Sequence, residues 1–378
     1  MLVEDGQVRD TLVSDALVTD ALVTDVLVIG AGQAGLSTAH HLLRSGIDTI
    51  VVDAGDGPGG AWRHRWDTLT MAGVNGIREL PGTTPPQADP REPANRAIPA
   101  WFEHYESDQG IDVRRPVRIR RVESLDDGRL RSIGSADGRE VEFVSRILVN
   151  ATGTWDAPFW PFYPGRESFA GRQLHTRDYR GPQDVRDARV VVIGGGISAV
   201  QLAMEIAPVV AAQRWVTRRP PVWLEREFTQ EAGRVAVAMV EERVRRGLPP
   251  RSVVSVTGLP LTPATRSARE SGVLQRFPMF TSIDAGGVQW ADGTRFDADV
   301  LFWNTGFRAS LDHLAPLRLR GAGGGIAMDG TRVVADPRIH LVGYGPSAST
   351  IGANRAGRAA AREITAYLAT EPAAPQTV

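Results

Sequence analysis

A glycine-rich turn near the start of the chain is the first group of residues whose types and spacing predict chemistry. It follows the apolar residues 26–29 and contains Gly30, Gly32 and Gly35. In such turns the first glycine permits a tight bend, the second lets the backbone approach a diphosphate, and the third lets a helix pack on a strand. Asp53 ends the next apolar run, 23 residues after Gly30, where a carboxylate can bind a ribose 2′-hydroxyl. The pattern predicts an adenine dinucleotide at the N-terminus of the following helix.

A second turn of the same kind occurs in the middle of the chain. Its small residues are Gly194, Gly196 and Ala199. Thr217 takes the position that corresponds to Asp53, and Arg218 and Arg219 follow it. An acid there repels a ribose 2′-phosphate, whereas an arginine pairs with it through charge-assisted hydrogen bonds of about 1.5–3 kcal/mol each. The contrast predicts FAD at the first turn and NADPH at the second; the alternative is that the two arginines are an ordinary solvated surface.

The first residues of the two helices join these predicted contacts, because their backbone N–H groups face the diphosphate. They are Gln33 and Ala34 for FAD, with Ala54 after Asp53, and Ile197 and Ser198 for NADPH.

Composition narrows the classes of chemistry. The chain has 378 residues, enough for two domains, and a formal net charge of -1, which does not favour nucleic acid or an anionic membrane as a partner. It contains no cysteine, so a redox-active disulfide and an iron–sulfur cluster are excluded, and no lysine, so a Schiff base is excluded. No apolar run is long enough to span a bilayer, and residues 1–25 do not read as a secretory signal. We therefore expect a cytoplasmic protein without a metal site.

Apolar periodicity places both turns between a strand and a helix. Strands are predicted at residues 26–29, 49–52, 112–124, 129–143, 146–151, 190–193, 213–217, 299–303 and 339–344; helices are predicted at residues 33–45, 100–108, 197–210, 224–248 and 350–369. Residues 81–99 are predicted as a surface loop. The fold class is α/β, with two Rossmann-like dinucleotide-binding domains, the NADP domain inserted into the FAD domain. The predicted boundaries are a loosely ordered tail at 1–24, FAD-binding parts at 25–158 and 299–378, and an NADP-binding domain at 159–298.

A longer pattern lies just before the second turn. It is Phe169-x-Gly171-x-x-x-His175-x-x-x-Tyr179, and it resembles the identifying signature of the flavin-containing monooxygenases, which are class B flavin-dependent monooxygenases. Further matches to this family occur in the same order along the chain, at residues 59–62, 65–69, 151–153 with Pro158, 304–308 and 349–353. The resemblance covers residues 26–368 approximately and is greatest to short bacterial members.

The resemblance implies a disulfide-reductase-like three-layer ββα architecture and further cofactor contacts. Those implied for FAD are Gly60, Trp62, Arg65, Trp66, Val117, Ala151, Thr152, Gly153, Thr350 and Ile351, and those implied for NADP are Thr305 and Gly306. His175 is implied at the junction of the two domains, where it would position NADP.

One position departs from the family. Members that oxidise heteroatoms carry an asparagine beside the flavin, and the corresponding residue here is Ala72, with Asn75 the nearest amide. Asn75 is therefore a candidate catalytic residue. The alternative is that Asn75 is a turn residue and that no amide lies beside the flavin. The signature ends in Tyr179-Arg180 rather than the Trp-Pro of the Baeyer–Villiger branch, which favours heteroatom oxidation.

By resemblance, the function is that of an NADPH-dependent monooxygenase. Its reduced FAD would react with molecular oxygen to give a C4a-(hydro)peroxyflavin that oxygenates a small sulfur or nitrogen nucleophile or a carbonyl substrate. An NADPH oxidase or flavin reductase that releases hydrogen peroxide is one alternative, and a non-catalytic NADPH sensor is another. Family members often form dimers, so a homodimer stays open.

Overall fold

The fold is built on two β-sheets, and in each of them one strand is followed by a glycine-rich turn and an α-helix. The computed structural model describes residues 21–74, 77–84, 87–224, 230–250 and 258–370. The strands are β1 (Leu22–Ile29), β2 (Thr49–Val52), β3 (Val113–Arg114), β4 (Val117–Ser124), β5 (Leu130–Ala136), β6 (Arg139–Asn150), β7 (Arg172–His175), β8 (Arg189–Ile193), β9 (Ala212–Thr217), β10 (Trp223–Leu224), β11 (Leu259–Pro260), β12 (Arg276–Pro278), β13 (Ser282–Asp284), β14 (Gly287–Gln289), β15 (Arg295–Asp297), β16 (Val300–Trp303), β17 (Met328–Asp329), β18 (Arg332–Val333) and β19 (Ile339–Leu341). The α-helices are α1 (Gln33–Arg44), α2 (Ala94–Asp108), α3 (Ile197–Ile206), α4 (Gln230–Arg245), α5 (Pro263–Glu270) and α6 (Thr350–Thr370).

The first sheet is the middle of a three-layer arrangement. Its strand order is β17-β18-β19-β6-β1-β2-β3, and β1 pairs in parallel with both β2 and β6. Val26 and Val28 of β1 face a core formed with α1, α2 and α6, whereas Leu27 and Ile29 face a core formed with β4 and β5. Because successive strand residues point to opposite faces, β1 is apolar throughout. The predicted ββα arrangement is confirmed.

The second sheet repeats this design. Its order is β12-β9-β8-β16-β7, with all pairs parallel. Val190 and Val192 of β8 pack toward α3, while Val191 and Ile193 pack toward the side of the antiparallel β13–β15 hairpins. The two glycine-rich turns therefore occupy equivalent places, each after the first strand of a βαβ unit.

Two chain segments connect the sheets side by side. Phe159 N–H donates to the carbonyl of Gly306 at 2.9 Å, and Ser310 N–H donates to the carbonyl of Gly153 at 3.0 Å. Thr152 Oγ1 adds a 2.6 Å bond to the carbonyl of Ser310. These bonds join residues 152–159 to residues 306–310, and the two segments together form a double connection between the sheets. No α-helix in the described ranges is long and apolar enough to cross a membrane.

Several predicted bounds were wrong. Residues 143–146 do not break a strand: β6 runs through them because it joins the antiparallel β5 and the parallel β1 at once. The helix predicted from residue 100 begins at Ala94 and runs through Pro99, which removes one backbone hydrogen bond without ending the helix. The strand at 300–303, predicted in the second FAD-binding part, pairs with β7 and β8 of the second sheet. Residues 22–24, predicted as the end of the tail, belong to β1, and residues 1–20 of the predicted tail lie outside the described residues. The remaining domain boundaries stay predictions.

Candidate active site

The three glycines of the first turn differ in the space around them. Gly30 has a φ of 102°, which only glycine adopts readily, and a Cβ at position 35 would lie 1.8 Å from the Gly30 carbonyl oxygen. A Cβ at Gly32, by contrast, would meet no atom within 4 Å. No side chain caps the N-terminus of α1, so the N–H groups of its first turn have no side-chain acceptor. This is the arrangement that binds a diphosphate.

Asp53 is held in place by backbone donors. Its Oδ2 accepts from Ala31 N–H at 2.6 Å and its Oδ1 accepts from Gly55 N–H at 2.7 Å. The carboxylate therefore lies against the first turn with lone pairs left over for a ribose hydroxyl. The position supports the predicted contact, and Ala54 follows on the same partly buried loop.

Residues 60–73, which we call the cover segment, begin beside the first turn. A Cβ at Gly60 would lie 3.0 Å from the Cα of Gly32. The Arg65 guanidinium lies over the Trp62 and Trp155 rings, 5.5 and 4.9 Å from their centroids. Burial lowers the pKa of Arg65 to about 10, and its buried Nε has no hydrogen-bond partner among the described residues. A buried donor of this kind fits a ligand that would supply the acceptor.

The N-terminus of α6 comes to the same place as that of α1. Ser37 Oγ donates to the carbonyl of Asn354 at 3.3 Å, and a Cβ at Gly357 would lie 2.5 Å from Ser37 Oγ. The two helices are therefore in close contact near their starts. Thr350 and Ile351 begin α6 as expected, and their contacts with FAD stay predictions.

The second turn has the same geometry. Gly194 has a φ of 144°, and a Cβ there would lie 2.2 Å from the carbonyl oxygen of Asn304. Trp215 Nε1 donates to the Gly194 carbonyl at 2.8 Å and fixes the turn. A Cβ at Gly196 would meet nothing within 4 Å, and α3, which starts with Ile197, Ser198 and Ala199, has no side-chain cap. This turn also presents free N–H groups to an open space.

The end of β9 carries more arginine than the sequence pattern predicts. Arg218 and Arg219 are exposed, and Thr217 Oγ1 donates to the Arg219 carbonyl at 2.7 Å. Arg276 of the neighbouring β12 donates from Nε to Thr217 Oγ1 at 2.9 Å and from Nη2 to the Thr217 carbonyl at 3.1 Å. Spacing along the chain gives no signal for Arg276, because only sheet pairing brings it here. Arg276 thus adds a third arginine at the strand end where the 2′-phosphate of NADPH is predicted to bind.

His175 is fully buried and engages backbone on both ring nitrogens. Nδ1 accepts from Arg177 N–H at 3.1 Å, so the proton lies on Nε2, which is 3.2 Å from the Gly306 carbonyl. Burial lowers the pKa of His175, which keeps the ring neutral. Both ring nitrogens are bonded to backbone, and the ring holds the Thr305–Gly306 turn in place. The predicted role of His175 in positioning NADP stays a prediction.

Replacing His175 with leucine should lower the free energy of unfolding by about 1–3 kcal/mol, because it leaves the Arg177 N–H without its acceptor and the Gly306 carbonyl with only its bond from Phe159 N–H. Chemical denaturation of the FAD-loaded protein measures this, with the exposed His104→Leu as the control, where a change within about 0.5 kcal/mol is expected. The folded pKa lies below the unfolded value of 6.5, so the loss of stability on acidification below that pH should be smaller in His175→Leu. Equal stability of the two variants would contradict the positioning role.

The other residues singled out in the sequence differ in what the structure shows of them. Ala151, Thr152 and Gly153 lie at the double connection, where Gly153 has a φ of 62°. The Val117 N–H donates to the Asp53 carbonyl at 2.7 Å and its side chain is buried, so a hydrogen bond from this N–H to FAD is not supported. Asn75 lies outside the described residues. Ala72 is exposed and its methyl group offers no hydrogen bond.

The residues present therefore fit two dinucleotides. Both helices are uncapped, both second glycines face open space, and the carboxylate and the arginines occupy equivalent strand ends. FAD would be held by the first turn, Asp53 and the cover segment, and NADPH by the second turn and the end of β9.

Comparison with known proteins agrees with this geometry. The model of the pyridine nucleotide-disulphide oxidoreductase family matches residues 24–344. The structure of a flavin-containing monooxygenase from Stenotrophomonas maltophilia is 36% identical in sequence, with a TM-score of 0.77 over 92% of this chain and 99% of that one. The indole-3-pyruvate monooxygenase YUCCA1 of Oryza sativa is 26% identical over 344 residues, 82% of each protein.

A disulfide reductase has the same fold without the same chemistry. The bacillithiol disulfide reductase of Bacillus cereus is 18% identical with a TM-score of 0.69, over 91% of this chain and 99% of that one. The present chain has no cysteine with which to reduce a disulfide. The chain accordingly belongs to the pyridine nucleotide-disulphide oxidoreductase family and, within it, to the flavin monooxygenases, enzymes whose cofactors are FAD and NADPH.

Proposed function

We propose that this enzyme takes its hydride from NADPH in preference to NADH and oxygenates a small sulfur or nitrogen nucleophile or a carbonyl compound. The observation that carries the nicotinamide preference is the charge at the two strand ends. Asp53 stands at the first, and Arg218, Arg219 and Arg276 stand at the second. The carboxylate disfavours a 2′-phosphate where the guanidinium groups favour it.

The protein residues bind and orient rather than transfer protons. FAD, when bound, supplies hydride acceptance and the activation of oxygen. The N-termini of α1 and α6 put partial positive charge beside the first turn, which favours negative charge there. His175 fixes the turn at Thr305–Gly306, and Gly60, at the start of the cover segment, lies close to Gly32 of the first turn. The His175 ring is not required to donate a proton.

Product analysis tests the oxygenation. FAD-loaded enzyme is supplied with NADPH and oxygen, together with a panel of sulfides, amines and ketones that includes indole-3-pyruvate. We expect one class to raise NADPH consumption and to yield an oxygenated product in proportion to it. Hydrogen peroxide equal to the NADPH consumed, with no oxygenated product from any class, would count against a monooxygenase.

The nicotinamide preference depends on the arginines of β9. Changing both Arg218 and Arg219 to alanine should lower kcat/KM for NADPH by at least about 100-fold, since each removes a charge-assisted hydrogen bond of about 1.5–3 kcal/mol. The value for NADH should change by less than about 3-fold, because NADH has no 2′-phosphate to lose contact with. The exposed pair Arg120→Ala and Arg139→Ala is the control. Equal losses of kcat/KM with NADPH and NADH would show that Arg218 and Arg219 do not bind the 2′-phosphate.

An NADPH oxidase is the second candidate, favoured by Ala72. An exposed methyl group replaces the amide that the resemblance places beside the flavin. Ala72→Asn should then raise the ratio of oxygenated product to hydrogen peroxide. An unchanged ratio, with peroxide the only product of both proteins, would favour the oxidase.

A further inference from the structure

The cover segment packs against the second sheet as well as the first. Trp66 is 3% exposed and shares the apolar core of Val190 and Val192, and its ring meets that of Tyr179 edge-on at 6.2 Å. Asp67 N–H donates to the carbonyl of Arg180 at 3.1 Å. A segment that covers the flavin turn is thus fixed to the domain of the nicotinamide turn.

One carboxylate links this segment to α3. Glu205 Oε1 accepts a hydrogen bond from Thr68 Oγ1 and another, at 3.0 Å, from the Tyr179 hydroxyl. Burial, and then the charge of Glu205, raise the pKa of Tyr179, so the phenol stays protonated and donates. Glu205 lies eight residues after Ile197, about 12 Å along the helix from the second turn.

The same segment is also bonded to the first domain. Ala94 N–H of α2 donates to the carbonyl of Leu69 at 2.8 Å, and Asn95 Nδ2 donates to Asp67 Oδ1 at 2.7 Å. Leu69 contacts the apolar cores of both sheets. A small movement of α3 would therefore reach Gly60, which lies on the Gly32 turn.

We infer that Glu205 is a positioning residue which, through Thr68 and Tyr179, couples nicotinamide nucleotide bound at α3 to closure of the cover segment over the flavin. The inference rests on the proposed NADPH site. A nucleotide that orders the N-terminus of α3 steadies Glu205, and the carboxylate holds Thr68 in its closed place. By linkage, a closed cover segment strengthens nucleotide binding by the same factor.

Thr68 offers the most informative variants, because it is exposed and its removal leaves no buried group unpaired. Thr68→Val keeps the shape and deletes the donor, whereas Thr68→Ser keeps the donor. Glu205→Gln keeps an acceptor oxygen, and Glu242→Gln on the exposed face of α4 is the unrelated control. Amide hydrogen exchange of residues 60–73 is measured in FAD-loaded protein with and without NADP+, together with the rate of FAD release.

In the natural protein we expect NADP+ to slow exchange in the cover segment and FAD release by about 10-fold, a typical coupling between two sites. Thr68→Ser, Glu205→Gln and Glu242→Gln should keep most of this effect. Thr68→Val should reduce it below about 2-fold while the Kd for NADP+ rises by no more than the lost factor. An undiminished effect in Thr68→Val would overturn the inference.

The same experiment gives a different result if the proposed NADPH site is wrong. If NADP+ does not protect residues 194–199 of the natural protein at all, the nucleotide site itself is wrong and the coupling falls with it. If those residues are protected and the cover segment is not, the nucleotide site stands and only the coupling is refuted.

Discussion

Replacing Gly32 with alanine is expected to give a folded protein without flavin. Gly32 has a φ of -75° and a ψ of -175°, which alanine adopts without strain, and its added methyl group meets no protein atom within 4 Å. The free energy of unfolding of the apoprotein should therefore change by less than about 1 kcal/mol. The methyl group would occupy the space of the diphosphate and displace it from the N–H groups of α1. Loss of two charge-assisted hydrogen bonds weakens FAD binding by at least about 100-fold.

Flavin titration of apoprotein, followed by fluorescence, measures the loss, and thermal unfolding of the apoprotein checks the fold. Gly321→Ala is the matched control, because this glycine is exposed and its added methyl group makes only an ordinary contact, at 4.0 Å, with the Gly325 carbonyl oxygen. A Gly32→Ala protein that binds FAD as tightly as Gly321→Ala would mean that the diphosphate lies elsewhere.

Replacing Gly196 with alanine is expected to separate the two cofactors. Gly196 has a φ of -97° and a ψ of 176°, and its added methyl group also meets no atom within 4 Å. FAD should stay bound with unchanged affinity, while kcat/KM for NADPH falls by at least about 100-fold for the same reason as at the first turn. The protein should be yellow and unable to use NADPH.

The adjacent Gly195→Ala is a close control, since it gives the second turn the Gly-Ala-Gly order of the first. Its added methyl group makes only ordinary contact with Thr217, at 3.7 Å. Dithionite should reduce the flavin of both variants, whereas NADPH should reduce only that of Gly195→Ala at a rate near the natural one. Equal rates with NADPH in the two variants would contradict a nicotinamide site at α3.

Local patterns predicted the parts of the fold that local forces determine. The strand, turn and helix around Gly30 and Gly194 follow from apolar periodicity and from glycines whose added side chains would clash with backbone. The 36% identity to a flavin-containing monooxygenase structure, over 92% of this chain, confirms the family predicted from ordered motifs. The helix at residues 33–45 and the strand Thr49–Val52 were predicted within one residue.

Contacts between distant segments were not predictable from the chain. Arg276 reaches Thr217 only because β12 pairs with β9, and 59 residues separate the two. Glu205 reads as an ordinary exposed helix residue until Thr68 and Tyr179 are brought to it. β6 hid its length because Ser145 and Arg146 interrupt the apolar pattern, although pairing on both sides keeps the strand continuous.

The most direct test of the central claim is an anaerobic titration of the FAD-loaded enzyme with NADPH, followed by the visible absorbance of the flavin. If the two turns hold the two cofactors in one working unit, one equivalent of NADPH bleaches one equivalent of flavin, and NADH at the same concentration does so far more slowly. Flavin that binds to the enzyme and stays oxidised with excess NADPH would contradict the account.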